Sequence, residues 1–304
     1  MRQSLSEHRL SGCLFLFAAF FAAGSYAQPP EFDAKIVEQF DAFDAFQAVA
    51  VDEHFFYAIN NRQITQHDKA DGLALQRWGD EKVVSNSLTH LDSGIVLAGK
   101  LYSAHSNYPG WPMTSSVEVW DVSSMTRIDT HSFGVMLGSF TWLDRYAESW
   151  WGTFANYDRV QRGMTIPYGG TSNTVMVQFD DDFQVLHSWT LPAEILRRMS
   201  PMSNSGGSWG RDGLLYLSGH DDPEVYVMAL PEDGSELDWL ATIRIPGLNG
   251  QGIAWDRSDD GRYLWAILRS TRQVLKIEMP ELDGALQAGN VSIVEMTFDF
   301  LVQK

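Results

Sequence analysis

The chain has 304 residues, 44% of them hydrophobic, with 39 acidic against 22 basic side chains and a formal charge of −17. So acidic a surface repels phosphate backbones and anionic headgroups, which argues against nucleic acid as a partner. The charges are dispersed rather than blocked, the pattern of a solvated surface, and a chain of this length buries a full core without covalent staples.

At the N-terminus, Arg2 and Arg9 precede an apolar run from Cys13 to Gly24 (CLFLFAAFFAAG), and Ser25-Tyr26-Ala27 supplies a small-x-small exit. Charged start, short apolar core and small exit read as a secretory signal peptide, residues 1–27, cleaved near Ala27. The apolar run, about 12 residues, falls short of the roughly 20 that span a bilayer. No later stretch is longer, so no membrane span is expected. The reading implies a periplasmic or secreted domain over residues 28–304. Cys13, the only cysteine, lies in the removed segment. The mature chain then has no disulfide, no thiolate nucleophile and no cysteine-ligated metal.

Lys35 to Phe40 (KIVEQF) reads as an extra strand that closes a ring against the last repeat. From Phe46 onward one pattern recurs in five copies, which begin near residues 46, 86, 139, 207 and 250. Each copy has four short apolar strands separated by turns. The first is FQAVAVD, HFFYAINN, RQITQHD and LALQRW; the second is NSLTHLD, GIVLAGK, SSVEVWD and RIDTHSF; the last is GQGIAWD, RYLWAILR, RQVLKIE and SIVEMTF. Four-stranded units at a 40-to-50-residue period are the signature of propeller blades. The fold class is therefore all-β: a β-propeller of five blades, four antiparallel strands each, with six blades the alternative because the third copy is long. That copy carries an insertion from Arg159 to Ser172, and Ala193 to Met199 after Pro192 reads as a single helix with proline at its first position. Trp142, Trp150, Trp151, Trp209 and Trp255 sit in or beside strands and read as core packing.

In a propeller, loops between second and third strands share one face with the connections between blades. On that face the sequence places Asn60 and Asn61, His105 to Tyr108, Asn156 to Asp158, His220 to Asp222, and Arg269. The blade connections add Gln47, Asn86, Ser139, Ser203 to Gly207, and Asn249 to Gln251. Asn, Ser and Gly also form turns for purely local reasons. As an ensemble they make a concave polar mouth, the usual place for a ligand. His105 and His220 are the candidate acid and base, because imidazole titrates near neutral pH. Asp221 and Asp158 are candidates to orient a histidine or bind a cation, and Lys100 and Arg269 to hold an anion. Gln47, Asn107, Tyr108, Asn156, Asn204 and Gln251 would hold the ligand. His54, His67, His90, His131 and His187 read as solvated or packed, and Asp92-Ser93-Gly94 as an ordinary turn on the opposite face. Oxygen ligands at channel level would suit calcium, but no EF-hand spacing, HExxH or compact histidine pair is present, so no cofactor is assigned. Gly206-Gly207-Ser208-Trp209-Gly210 has the letters of a nucleophile elbow without its strand-to-helix context.

The segments KLYSAHSNYP, SFTWLD, WWGTFANYD, MSNSGGSWG, YLSGHDDPEVYV and LNGQGIAWD resemble a group of exported bacterial propeller proteins, cycloisomerase-like or YVTN-like, over about Phe46 to Pro280. LNGQGIAWD followed by LWAILRSTRQVLKI is similar, more distantly, to the five-bladed glutaminyl cyclase propellers. The Glu-rich segment of that family is missing here, so its catalytic residues do not carry over. Calcium-dependent lactonase propellers are similar by fold only. Together these imply a small polar ligand, with cyclisation or lactone hydrolysis as the chemistry. A non-catalytic protein- or glycan-binding scaffold is the alternative.

Overall fold

The computed structural model describes residues 28–79, 88–135, 138–160, 163–167, 169–258, 261–282 and 286. The segment read as a signal peptide, with Cys13, as well as Asn86 and the strand read as SIVEMTF, lie outside them.

Two strands precede the first blade, β1 (Glu31–Asp33) and β2 (Lys35–Asp41). The blades follow in chain order. Blade one comprises β3 (Ala48–Val51), β4 (Phe55–Asn60), β5 (Gln63–Asp68) and β6 (Ala74–Trp78). Blade two comprises β7 (His90–Leu97), β8 (Lys100–Ser106), β9 (Thr114–Asp121) and β10 (Thr126–Val135). Blade three comprises β11 (Ser139–Tyr146), β12 (Ser149–Ala155), β13 (Val175–Phe179) and β14 (Val185–Thr190), then the helix α1 (Ala193–Met199). Blade four comprises β15 (Gly206–Trp209), β16 (Leu215–Ser218), β17 (Glu224–Ala229) and β18 (Asp238–Arg244). Blade five begins with β19 (Ala254–Trp255), β20 (Tyr263–Leu268) and β21 (Gln273–Glu278).

The strands form five sheets in a five-bladed propeller. The fourth strand of blade five is β2, antiparallel to β21 from Lys35↔Glu278 to Asp41↔Gln273. The N-terminal strand thus closes the ring, as expected, but as the blade's own outer strand rather than an addition to it. Hydrogen bonds between the chain's two ends replace the loose seam an open ring would have. In blade four, β1 adds a fifth strand parallel to β18, which the repeat pattern does not announce.

Five apolar clusters lie between successive sheets. Tyr57, Ile59, Leu101 and Trp120 fill the space between blades one and two; Phe140, Phe154, Phe179 and Val117 between two and three; Trp142, Trp151, Trp209 and Leu217 between three and four. Tyr216, Val227, Leu264 and Leu275 join blades four and five, and Val49, Phe56, Trp265 and Ile267 join five to one. Each blade therefore buries both faces, which no isolated blade can do. All five tryptophans read as core are buried. The outer strands β6, β10 and β14 are mostly exposed.

Blade two departs from the sequence reading. GIVLAGK is not one strand: Leu97 pairs with Lys100, and Ala98 (φ 47°) and Gly99 (φ 75°) form the turn between them. Two consecutive left-handed residues are what a two-residue hairpin with matching twist requires. Asp92-Ser93-Gly94, which reads as a turn, lies inside β7 at a register shift between Leu91 and Gly94. Helix α1 forms where expected, with Pro192 at its N-cap, one residue earlier than read.

Candidate functional site

The innermost strands β3, β7, β11, β15 and β19 surround the axis, and a pocket of about 230 Å³ opens at one end of it. Every blade contributes to its lining: Gln47; His90, Asp92 and Tyr108; Thr141, Tyr157 and Arg159; Met202, Ser205 and His220; Gln251 and Arg269. Six of these come from the entrances of inner strands, and His220, Tyr108, Tyr157 and Arg269 from the loops above them.

Of the residues expected at this mouth, Gln47, Tyr108, His220, Gln251 and Arg269 are brought together. His220 donates through Nδ1 to Asp221 Oδ1 at 2.6 Å. The carboxylate accepts from Nδ1 and fixes the orientation of the ring. Asp221 itself is on the rim, its side chain 69% exposed. Gln251 is buried with φ 79°, a conformation disfavoured for any side chain bearing a Cβ. Three bonds hold it there: its N–H to Gly219 O (2.9 Å), its Nε2 to His220 O (3.3 Å), and Ser218 Oγ to its carbonyl (2.5 Å). The same residue that lines the pocket thus positions the His220 loop.

The other expected residues are elsewhere. Lys100 opens β8 at the exposed turn on the opposite face, because the hairpin falls at Ala98-Gly99. Asn107 closes its own loop, donating to Pro112 O (2.8 Å) and accepting from Thr114 N (2.9 Å). Asn156 donates to Asn173 O at 2.9 Å and anchors the blade-three insertion. Asn204 is buried and fully used: it accepts from Trp142 Nε1 (2.6 Å) and donates to Gly206 O (2.8 Å) and Ser218 O (3.0 Å). Asp158 accepts from Thr171 and Ser200, tying the insertion to the end of α1. Each of these polar side chains stitches backbone, as turn-forming residues do.

His105 is also not at the mouth. It is buried within blade two, donating from Nδ1 to Ser116 Oγ (2.9 Å) while Thr89 N–H donates to its Nε2 (3.1 Å). Ser116 in turn donates to Glu118 at 2.6 Å. Protonation at Nε2 would break the Thr89 bond and bury a charge, and burial together with the nearby Arg127 cation lowers the imidazole to about 4. An imidazole held below its unfolded value near 6.5 makes the folded state bind fewer protons than the unfolded one between those values. Its contribution is intact above about pH 6.5 and is lost as pH falls toward 4, on the order of 3 kcal/mol in full. Melting temperature measured from pH 7 to pH 4 should therefore fall less steeply in His105→Gln than in the wild type. Parallel profiles would refute the assignment.

His90 and Asp92 take the place at the mouth that His105 was expected to fill. His90 Nδ1 and Gln47 Nε2 both donate to Asn61 Oδ1, at 2.8 and 2.7 Å. His90 Nε2 then faces Asp92 Oδ2 at 3.5 Å. Burial pushes His90 down to about 3, with His105, Arg269 and His220 adding to the effect. Burial pushes the Asp92 carboxyl well up, opposed by Arg269. Both groups are thereby driven toward their uncharged forms. The signal was present in the sequence, since residues two apart share one face of a strand, but the Asp-Ser-Gly triplet hid it as a turn. A bulge re-aims side chains in just this way. Tyr157 is buried beside them, its phenol pushed up by burial and by Asp92, with its ring 5.0 Å from that of Tyr108.

Among the described residues, three groups lining the pocket make no side-chain hydrogen bond, although Asp92 Oδ2 faces His90 Nε2 at 3.5 Å. Asp92 Oδ2 and Thr141 Oγ1 are buried with no hydrogen bond. The Arg269 guanidinium lies over the Phe46 ring at 3.7 Å, and among the described residues it meets no carboxylate within ion-pair distance. Among the described residues, no group of three or more His, Cys, Asp or Glu side chains is arranged to hold a metal ion, and no helix is long and apolar enough to cross a membrane.

No family model matches the chain, and no curated protein matches it. Among solved structures, the PQQ-bound aldose sugar dehydrogenase of Streptomyces coelicolor aligns with a TM-score of 0.51 at 12% identity, over 83% of this chain and 99% of that one. A luciferin-regenerating enzyme aligns with a TM-score of 0.48 at 10% identity, over 80% of this chain and 93% of that one. At such identities the likeness is one of fold.

Proposed function

We propose that the channel mouth binds a small polar molecule and turns it over by acid–base chemistry, of the cyclisation or lactone-hydrolysis kind, in an exported protein. One observation carries the reading. Asp92 Oδ2 and Thr141 Oγ1, buried and without a hydrogen bond among the described residues, line the same pocket as Arg269. A buried polar atom left unpaired costs about 1–3 kcal/mol, so several in one cavity mark groups kept for something other than stability. The charged N-terminus and short apolar run support export.

The chemistry follows from the two imidazoles and the buried carboxyl. His220, its Nδ1–H held by Asp221, offers Nε2 as the general base. Asp92, driven toward its protonated form, is the complementary acid, and the neutral His90, whose Nε2 faces Asp92 Oδ2 at 3.5 Å, positions that carboxyl.

A thermal-shift screen of small hydroxylated, amide-bearing and lactone metabolites and of simple sugars tests the reading. A ligand at 100 times its dissociation constant stabilises by about 2.7 kcal/mol, and the double variant Thr141→Val/Asp92→Asn should remove most of that shift. A screen without hits, or hits indifferent to the double variant, sinks the proposal. Binding without turnover would identify a glycan- or metabolite-binding module instead.

A further inference from the structure

We infer that the ligand is a small carboxylate, anchored through its charge by Arg269. This rests on the mouth being a binding site, and goes further by naming the chemical class that fits it.

Arg269 follows β20 at the turn into β21, and its guanidinium is stacked on Phe46. Stacking immobilises the plane of the fork while leaving its N–H edge available, which suits two-point recognition of a carboxylate. A partly buried cation normally has a carboxylate against it, because the loss of water must be compensated. The chain is rich in acids, with 39 Asp and Glu, yet among the described residues none forms an ion pair with Arg269. The nearby carboxyls are otherwise engaged. Asp221 bonds His220, and Asp92 is driven by burial toward its neutral form, in which it does not repel an anion. Arg159 lines the same pocket and adds a second positive charge.

The remaining lining suits the rest of such a molecule. The Thr141 hydroxyl, without a partner of its own, can donate to the second carboxylate oxygen or to a substrate hydroxyl. Tyr108 stands between His90 and Tyr157, 5.1 and 5.0 Å from their rings, and gives the apolar part of the ligand a wall. The volume of about 230 Å³ exceeds the roughly 150 Å³ that accommodates a benzene ring, and so admits a small hydroxy or cyclic acid.

The test uses calorimetric and thermal-shift titration of the whole protein with acetate, lactate, glycolate and benzoate, each beside its uncharged amide. Carboxylates should bind and their amides should be weaker by roughly 10- to 100-fold, the ratio expected when a hydrogen bond to a charged group is lost. Arg269→Gln should abolish that preference, and Arg269→Lys, which keeps charge but not the fork, should retain part of it. Melting temperatures of the unliganded variants establish that they fold. Amides that bind as well as acids, or acids that bind Arg269→Gln undiminished, overturn the carboxylate assignment while leaving the mouth site standing. If neither acids nor neutral polar probes bind, the inference and the functional proposal fall together.

Discussion

Replacing His220 with Gln should slow turnover of any substrate found for the mouth by about 10²- to 10⁴-fold, the usual contribution of a positioned acid–base group. Among the described residues the imidazole bonds only Asp221 through its side chain, and its ring is partly open to solvent, at 25% exposure. The fold therefore loses little when it is removed, and the melting temperature should stay within about 2 °C, since surface changes away from buried features are usually within 0.5 kcal/mol. Gln keeps a polar end of similar reach but cannot accept and release a proton. Asp221→Asn should cause a smaller loss, because the rim carboxylate orients the ring rather than reacting. Steady-state kinetics on both variants decide it. If His220→Gln retains more than a third of wild-type kcat, His220 is not the base. If it binds ligand normally and the wild type shows no turnover either, the mouth is a receptor.

The largest effect on stability is expected at the other end of the channel. Asp144, at the close of β11, is buried and accepts from groups in three blades. Arg257 Nη2 donates to both its oxygens at 2.7 and 2.8 Å. Trp209 N–H (2.7 Å) and Ser208 Oγ (3.0 Å) donate to Oδ2. Ser208 Oγ also accepts from Trp255 N–H at 3.1 Å, so β11, β15 and β19 meet at one carboxylate. Asp144→Ala strands the Arg257 charge and the buried Trp209 N–H together. Breaking one side of a buried pair costs about 3–5 kcal/mol, and Arg257, 29% exposed, places the loss near the lower bound. At roughly 2 °C per kcal/mol for a chain of this size, calorimetry should find the melting temperature about 6 °C lower. Ligand binding at the mouth should be unaffected once the variant is folded. A drop under 2 °C would mean that the inter-blade clusters, not this network, hold the three inner strands together.

What the amino-acid order determines by itself is everything periodic. Five copies of four apolar segments specify five sheets, because each strand's alternation decides which faces must be covered and only neighbouring sheets can cover both. The strand at residues 35–40 is apolar enough to demand a partner, and the last repeat is where a ring must close. Asp144, Asp52 and Asp256 each close an inner strand and accept local N–H groups there, as turn-forming aspartates do. The blade-three tryptophans and the helix after Pro192 were equally plain.

Gln47, Tyr108, His220, Gln251 and Arg269 were legible as mouth residues; which of the other polar residues join them was decided by tertiary structure. In blade two the order of letters supports two hairpins, and a shift of one turn sends Lys100 to the far face and brings His90 and Asp92 onto the channel. His105, by contrast, lies within β8, where blade-two side chains and the Thr89 backbone consume both its nitrogens. Asn156 and Asn204 are amides like any binding residue, but their bonds are taken by Asn173 O in one case and by Gly206 O, Ser218 O and the Trp142 indole in the other. An amide or imidazole looks identical in sequence whether its hydrogen bonds are met or open. Only the positions of its partners, set by how the blades pack around the axis, distinguish a stitch from a site.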